Sequence, residues 1–219
     1  MNMVLEVFSR LVAIILLIIL SPIFFIVIFG CMIFQGFPIF FKQKRIGYKF
    51  QDFEIYKFRS MINNSGNIIT EPNDLRITKW GKFLRYTKID ELPQLLNILK
   101  GEMRFIGPRP EVEDYFSTED FSFLEVVKPG ISDFSSIILR DESKILNYIG
   151  GDRPYEKLLP IKLELANYYA KNKSFRLDLL LVTITIISLL LPTFAAKKLA
   201  LPLIKLDSVQ SRDYFIQFL

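Results

Sequence analysis

The sequence predicts an α+β fold, mostly helical, in which an apolar N-terminal helix precedes a small mixed domain. Three patterns predict it. Leu11 to Phe34 is 24 residues without a charge. Leu92, Leu95, Leu96 and Leu99 recur at helical spacing in TKIDELPQLLNILKGEMRFIGPRP (87–110), and Leu158, Leu159, Leu163, Leu165 and Tyr169 recur in PYEKLLPIKLELANYYAKN. FEIYKF (53–58) follows a run that alternates aromatic and polar residues, the pattern of a strand, and a Gly/Pro turn signal ahead of it suggests a hairpin.

Composition narrows the chemistry. The 219 residues suffice for one domain with a core plus a membrane segment. There is no histidine, which excludes Ser-His-Asp and Cys-His nucleophiles and His-based metal sites. Cys31 is the only cysteine and lies in an apolar run, so no disulfide framework or thiolate metal site exists. Any metal would need oxygen ligands, which points to Mg²⁺ or Mn²⁺. The net charge of +5 suits an anionic partner: a phosphorylated substrate, anionic lipid or nucleic acid. No stretch interleaves Arg/Lys with aromatics in a nucleic-acid pattern, so nucleic acid is not expected.

Taken in order, the uncharged run 11–34 exceeds the roughly 20 apolar residues of a membrane span. A cleaved signal peptide does not fit, because bulky apolar residues follow where a small-residue cleavage site is needed. A spanning helix and a helix that enters, bends and leaves on the same side both remain open. Ser21-Pro22 sits mid-run. Proline there removes a backbone bond and opposes the carbonyl of Leu17 or Ile18, and the Ser21 hydroxyl is placed to satisfy a freed group. Arg10 flanks one end and Lys42, Lys44 and Arg45 the other, weakly favouring one side for both. Residues 61–78 read as a polar loop. RITKWGKFLRYT reads as a helix, and FIGPRPEVEDYF and VVKPGISDF as turns. LDLLLVTITIISLLL (177–191) is short for a span and reads as a buried or interfacial helix. The tail FAAKKLALPLIKL reads as an amphipathic surface able to rest on anionic lipid.

Asp90 and Glu91 stand at the predicted start of the 87–101 helix, which Lys100-Gly101 stops. Pro93 fits only its first turn. Asp90 is thereby expected at or beside the N-cap, where free N–H groups and the helix dipole favour a phosphate. A cap and an ordinary first-turn acid would look the same. Arg59, Arg85 and Arg109 each lie beside a turn or element end, and a guanidinium fits phosphate bidentately. Arg109 is held between Pro108 and Pro110, and Arg85 precedes Asp90 by five residues. Each alone reads as a solvated surface charge; together with the acid pair they suggest a site for phosphoryl chemistry.

FKQKRIG, YKFRSM, GKFLRYTKIDELPQLLNILKGEM and FIGPRP, in this order, resemble the bacterial sugar transferases, the monotopic phosphoglycosyl transferases. The helix with a central Ser-Pro and KLELANYYAKNKSFRLDL resemble other parts of the same family. The resemblance covers roughly residues 4 to 190. It implies a re-entrant membrane helix over 1–36, a catalytic domain over 37–190 with a short β-hairpin and interfacial amphipathic helices, and a C-terminal extension over 191–219. The family transfers a sugar phosphate from a UDP-sugar to polyprenyl phosphate at the cytoplasmic face of the bacterial inner membrane. By that resemblance Asp90 is the nucleophile, Glu91 the neighbouring magnesium ligand, and Arg85 a phosphate-binding arginine. Pro108, Arg109 and Pro110 form a loop at the nucleotide, Gln43, Arg45 and Arg59 join the substrate site, and Ser21-Pro22 is the helix break. Expected partners are the donor, the acceptor, membrane lipids and, as an open matter, a second copy of the chain. One departure stands out. Where the family commonly carries Pro-Gly-Ile-Thr-Gly, this chain reads PGISD, so Ser132 and Asp133 place an extra carboxylate near a site for anions. A non-enzymatic lipid-binding scaffold and a bitopic protein with residues after 35 outside the cytoplasm are the competing readings.

Overall fold

The structure, a computed structural model, describes residues 3–62, 74–116 and 120–204. Most of the loop expected over 61–78 and the end of the C-terminal extension lie outside the described residues.

The apolar run forms two helices, α1 (Met3–Ile19) and α2 (Ser21–Gln35), bent by 61° at the break between them. The cause is legible in the atoms. Pro22 has no N–H to give the Ile18 carbonyl, and the Ser21 hydroxyl donates to that carbonyl at 2.7 Å instead. No single helix among the described residues is long and apolar enough to cross a membrane; the bent pair passes that test only together. Ala13 of α1 is buried with Leu95, Ile98 and Met103, and Val27 and Cys31 of α2 with Phe58 and Leu84. The opposite faces leave Phe8, Leu11, Ile15, Ile18, Phe25, Ile26, Phe29 and Ile33 exposed.

An antiparallel hairpin follows: β1 (Phe40–Ile46) and β2 (Asp52–Phe58), pairing Phe41 with Lys57, Gln43 with Ile55 and Arg45 with Phe53. The strand expected at FEIYKF is thus present and paired. Helix α3 (Lys79–Thr87) is capped by the Thr78 hydroxyl, which accepts from Gly81 N at 2.8 Å. Gly81 is required there, since a Cβ would collide with the Ser60 backbone.

The segment expected as one amphipathic helix is instead a 3₁₀ helix, Ile89–Gln94, running into a short α4 (Leu95–Lys100) that Gly101 ends in the left-handed region. Lys88, at φ 60°, precedes it without a side-chain cap. Asp90 is therefore inside a 3₁₀ turn rather than at an α-helix N-cap. The buried face shifts as well. Leu95, Asn97 and Ile98 are buried, while Leu92, Leu96 and Leu99 are only partly so. The 3₁₀ turn advances about 2.0 Å per residue rather than 1.5 Å, so an α-helical period runs out of phase across it.

The two turns expected around Gly107 and Gly130 contain strands β3 (Arg104–Ile106) and β4 (Gly130–Ser132), paired in parallel. Gly107 and Gly130 approach so closely that a Cβ on either would strike the other strand's backbone. The remaining helices are α5 (Phe134–Ile138), α6 (Glu142–Ile149), α7 (Pro154–Asn172) and α8 (Phe175–Leu190), then a turn α9 (Pro192–Phe194) that continues as π and 3₁₀ turns to Leu203. In α7, Leu158, Leu159, Leu163, Leu165 and Tyr169 are buried, as their spacing predicts. α8 buries Leu181, Ile184 and Ser188 and exposes Leu179, Ile186, Leu189 and Leu190. Ala195, Ala200 and Ile204 join the core of α5 to α8, while Lys197 and Lys198 face outward.

Candidate active site

Asp90 and Glu91 lie where the 3₁₀ turn crosses β2. Their surroundings are cationic. The Glu91 carboxylate accepts from Arg109 Nη2 at 2.7 Å and from Lys57 Nζ at 2.9 Å through Oε1, with Arg109 Nη1 at 3.5 Å from Oε2. Burial would raise the Glu91 pKa, but the Arg109 and Lys57 charges outweigh it and hold the carboxyl well below its usual range. Asp90 is 5% exposed, and its Oδ1 has no hydrogen-bond partner. Burial first, and then the neighbouring Glu91 charge, push its pKa up against the smaller pulls of Lys57, Lys88 and Arg85. Two adjacent carboxyls are thereby split: one firmly ionised and paired, the other buried with a bare oxygen.

Arg109 is positioned by its prolines' carbonyls. Gly130 N donates to Pro108 O at 3.0 Å, and Arg45 Nη1 donates to Pro110 O at 3.2 Å. Arg45 in turn donates to Gln43 Oε1 at 2.7 Å and lies 3.8 Å from Glu111. Glu111 is buried, takes an ion pair from Lys162 at 2.8 Å and accepts the Tyr155 hydroxyl at 2.6 Å. Arg85 is half-buried on α3, and burial lowers its pKa while Asp90, Asp74 and Glu91 oppose that. Arg109 contacts Glu91 directly, and Arg85 lies within electrostatic reach of Asp90 and Glu91.

Of the residues singled out in the sequence, Asp90, Glu91, Arg85, Pro108, Arg109 and Pro110 come together here, and Gln43 and Arg45 support the Arg109 loop. Arg59 does not join them. Its guanidinium donates to the carbonyls of Gln35, Gly36 (2.6 Å) and Phe37 (3.1 Å), which ties the end of α2 to the end of β2. Ser21 and Pro22 form the helix break described above. The Ser132-Asp133 departure is absorbed locally. Asp133 caps α5, accepting from Ser136 N at 2.7 Å and from the Ser135 hydroxyl, and Ser132 shares a hydrogen bond with Thr185 at 2.7 Å. Lys57 is the site residue that sequence reasoning missed. Its signal was its register: residues 53, 55 and 57 share a face, and Phe53 and Ile55 are buried, so Lys57 points inward and needs a counter-ion.

No group of three or more potential ligands converges among the described residues. A metal here would have Glu91 as its protein carboxylate and would draw its other ligands from substrate phosphate and water, a set that suits Mg²⁺. Glu91 Oε2, with Arg109 Nη1 no nearer than 3.5 Å, is the less engaged oxygen and fits such an ion.

The bacterial sugar transferase family matches residues 1–192. A UDP-N-acetylgalactosamine-undecaprenyl-phosphate N-acetylgalactosaminephosphotransferase of Aeromonas hydrophila is 38% identical over 161 residues, 70% of this chain and 36% of the relative. The uncharacterized sugar transferase EpsL of Bacillus subtilis is 40% identical over 156 residues, 69% of each chain. A UDP-glucose:undecaprenyl-phosphate glucose-1-phosphate transferase of Klebsiella pneumoniae is 33% identical over 192 residues, 82% of this chain and 39% of the relative. The chain thus spans little more than a third of two of these three proteins.

Proposed function

The chain belongs to the bacterial sugar transferase family, and on that premise we propose that it transfers a sugar phosphate from a UDP-sugar to undecaprenyl phosphate through a covalent intermediate on Asp90. The observation that carries this reading is the bare, buried Asp90 Oδ1 beside a Glu91 whose own charge is taken up by Lys57 and Arg109. A buried carboxylate oxygen with no hydrogen-bond partner, on an acid next to three cations, is a stored nucleophile with an anion site beside it.

In this mechanism a diphosphate entering near Asp90 meets Arg85 and Arg109, whose positive charge offsets the repulsion between donor and carboxylate. Arg109 exchanges part of its bond with Glu91 for a phosphate oxygen, and Lys57 keeps Glu91 ionised meanwhile. Asp90 attacks the phosphorus that bears the sugar, and its bond to the UMP oxygen breaks, leaving sugar phosphate on the aspartate. An oxygen of undecaprenyl phosphate then attacks the same phosphorus and releases Asp90. Two transfers let a water-soluble donor and a lipid acceptor use one site in turn. Glu91 would hold Mg²⁺, which would supply Lewis-acid neutralisation of the phosphate oxygens.

The bent helix pair supports a re-entrant anchor in the bacterial cytoplasmic membrane. At 1.5 Å per residue α1 is about 25 Å long and α2 about 22 Å. Set symmetrically, a 61° bend carries the apex only about 13 Å deep, within one leaflet of a core about 30 Å thick. Both flanks then share the cytoplasmic side with the site. Exposed Phe34, Phe37, Phe83 and Tyr86, near where α2 meets α3, suit the headgroup layer.

The test is turnover by the full chain in neutral detergent with Mg²⁺, undecaprenyl phosphate and a panel of UDP-sugars. UMP release is the readout, with mass spectrometry of the Asp90 peptide after mixing with donor alone. No release with any donor sinks the activity. Release without a phosphosugar adduct on Asp90 sinks the covalent step.

A further inference from the structure

Arg109 stands among three carboxylates, and among the described residues it ion-pairs with Glu91 alone. The other two are close by: Arg109, Glu111, Asp133 and Lys162 line one small cavity. Both of these acids are already taken. Asp133 accepts from Ser136 N at 2.7 Å and from Ser135 Oγ at 2.8 Å, within its own turn. Glu111 depends on a distant element. Its Oε1 lies 2.8 Å from Lys162 Nζ on α7, and its Oε2 accepts the Tyr155 hydroxyl at 2.6 Å. Lys162 also donates to that hydroxyl oxygen at 2.7 Å. Glu111, Tyr155 and Lys162 are all buried. Glu142 lies 3.7 Å from Lys162 but is partly exposed, so water can serve it.

Removing Lys162 upsets this arrangement. Glu111 would keep one neutral hydroxyl for a buried charge, and a buried carboxylate needs a cation. Two arginines are in reach. Arg45, 3.8 Å from Glu111, is tied to Pro110 O and to Gln43. Arg109 has a partner, Glu91, that Lys57 also serves, so it is the freer of the two to turn. We propose that Lys162 is a positioning residue: by occupying Glu111 it leaves the Arg109 guanidinium facing Glu91, where the donor diphosphate is received. Lys162 touches no substrate and acts through Glu111. The proposal rests on the reading of Arg109 as a donor ligand. It differs from a scaffolding role in one respect. Harm done by losing Lys162 should disappear when Glu111 loses its charge as well. A loop that needed the ion pair for its shape would gain nothing from that second loss.

The experiment uses the full chain in neutral detergent with Mg²⁺ and measures its affinity for UDP, which carries the diphosphate without the sugar, by calorimetry. Lys162→Met should bind UDP about tenfold more weakly, the low end of what a hydrogen bond to a charged group is worth. Lys162→Met/Glu111→Gln should regain wild-type affinity, since no second carboxylate then competes for Arg109. Leu181→Ala, a buried truncation on α8 that removes no charge, should melt at lower temperature with its UDP affinity unchanged, which separates positioning from lost stability. A crystal structure of Lys162→Met should show the Arg109 guanidinium on Glu111. Lys162→Gln takes the place of the Met variant in every arm if the latter does not fold. Unchanged affinity in the single variant, a double variant as weak as the single, or Arg109 still on Glu91 in the variant structure overturns the proposal. A wild-type chain that binds no UDP sinks the donor reading instead, and the place of Arg109 in the variant structure then decides the positioning claim by itself.

Discussion

Asp90→Asn and Glu91→Gln, one residue apart and both conservative, should shift stability in opposite directions. Asp90 is buried with an unpartnered oxygen, and its folded pKa lies above its ordinary value, from burial first and the Glu91 charge second. A carboxyl raised on folding subtracts stability when ionised, and the penalty fades as pH falls through the folded pKa. At pH 7 the neutral amide removes it. An unsatisfied buried polar group costs about 1–3 kcal/mol, and the amide brings donors of its own, so the lower end, about 1 kcal/mol, is the expected gain. For a chain of this size that raises the melting temperature by about 2–4 °C. Glu91 is the reverse case. Its contacts at 2.7 and 2.9 Å to Arg109 and Lys57 are each worth about 6 kcal/mol of Coulomb attraction at an effective dielectric of about 20, offset by desolvation. Removing the shared acid of a buried ion pair leaves stranded charges and costs about 3–5 kcal/mol, or about 6–20 °C. Thermal unfolding of the full chain in detergent at pH 7, followed by the fluorescence of Trp80, reads both. Adding Lys57→Met to Glu91→Gln should recover part of the loss, since one stranded cation goes with it. Asp90→Asn should be the more stable protein and should release no UMP. A fall in melting temperature for Asp90→Asn, or equal shifts for the two variants, would refute this account of the split pair.

Four further outcomes are expected. Single cysteines at Asn2 and Lys44, in a Cys31→Ser background, should be protected alike from an impermeant thiol reagent in intact cells; labelling of only one rules out re-entry. Excess EDTA should abolish UMP release and Mg²⁺ or Mn²⁺ restore it, whereas full activity in EDTA excludes an essential metal. Arg85→Ala and Arg109→Ala should impair donor use far more than Lys197→Ala, and equal losses would reduce the arginines to generic charge. Burial would raise the Glu111 carboxyl, but Lys162 and Arg45 hold it low. Its contribution to stability is therefore full above the ordinary glutamate pKa and disappears as pH falls through the depressed folded value. Lys162→Met should melt at lower temperature at pH 7 and lose less on going from pH 5 to pH 3 than wild type does; parallel melting curves for the two would count against the pair.

What the sequence made legible and what it concealed divide along a physical line. Long elements with a steady period could be read: α7 buries the residues its spacing marks, and β2 appears where aromatic and polar residues alternate. The break at Ser21-Pro22 could be read to the atom, because a missing N–H frees one known carbonyl and a hydroxyl stands beside it. Strands β3 and β4 could not. Each has three residues, too few for a period, and their pairing depends on Gly107 and Gly130 meeting at close range, which neither segment shows alone. The phase of the Asp90 segment was lost for a related reason: a 3₁₀ turn and an α-helix share composition but not rise.

The site itself was legible as a set of residue types and hidden as a set of pairs. Arg59 and Arg109 read alike in the sequence, each a guanidinium beside a turn. They part only when their nearest acceptors are known. Arg59 meets three backbone carbonyls at the end of α2 and is used up in joining α2 to β2. Arg109 meets a side-chain carboxylate that Lys57 already partly neutralises, so it can release one partner for another at smaller penalty. Backbone carbonyls have no second cation to turn to, and Glu91 has one. That difference makes Arg59 a fixed strut and leaves Arg109 the freer of the two to change partner, and it exists only because the β2 register turns Lys57 inward under a turn formed more than thirty residues later.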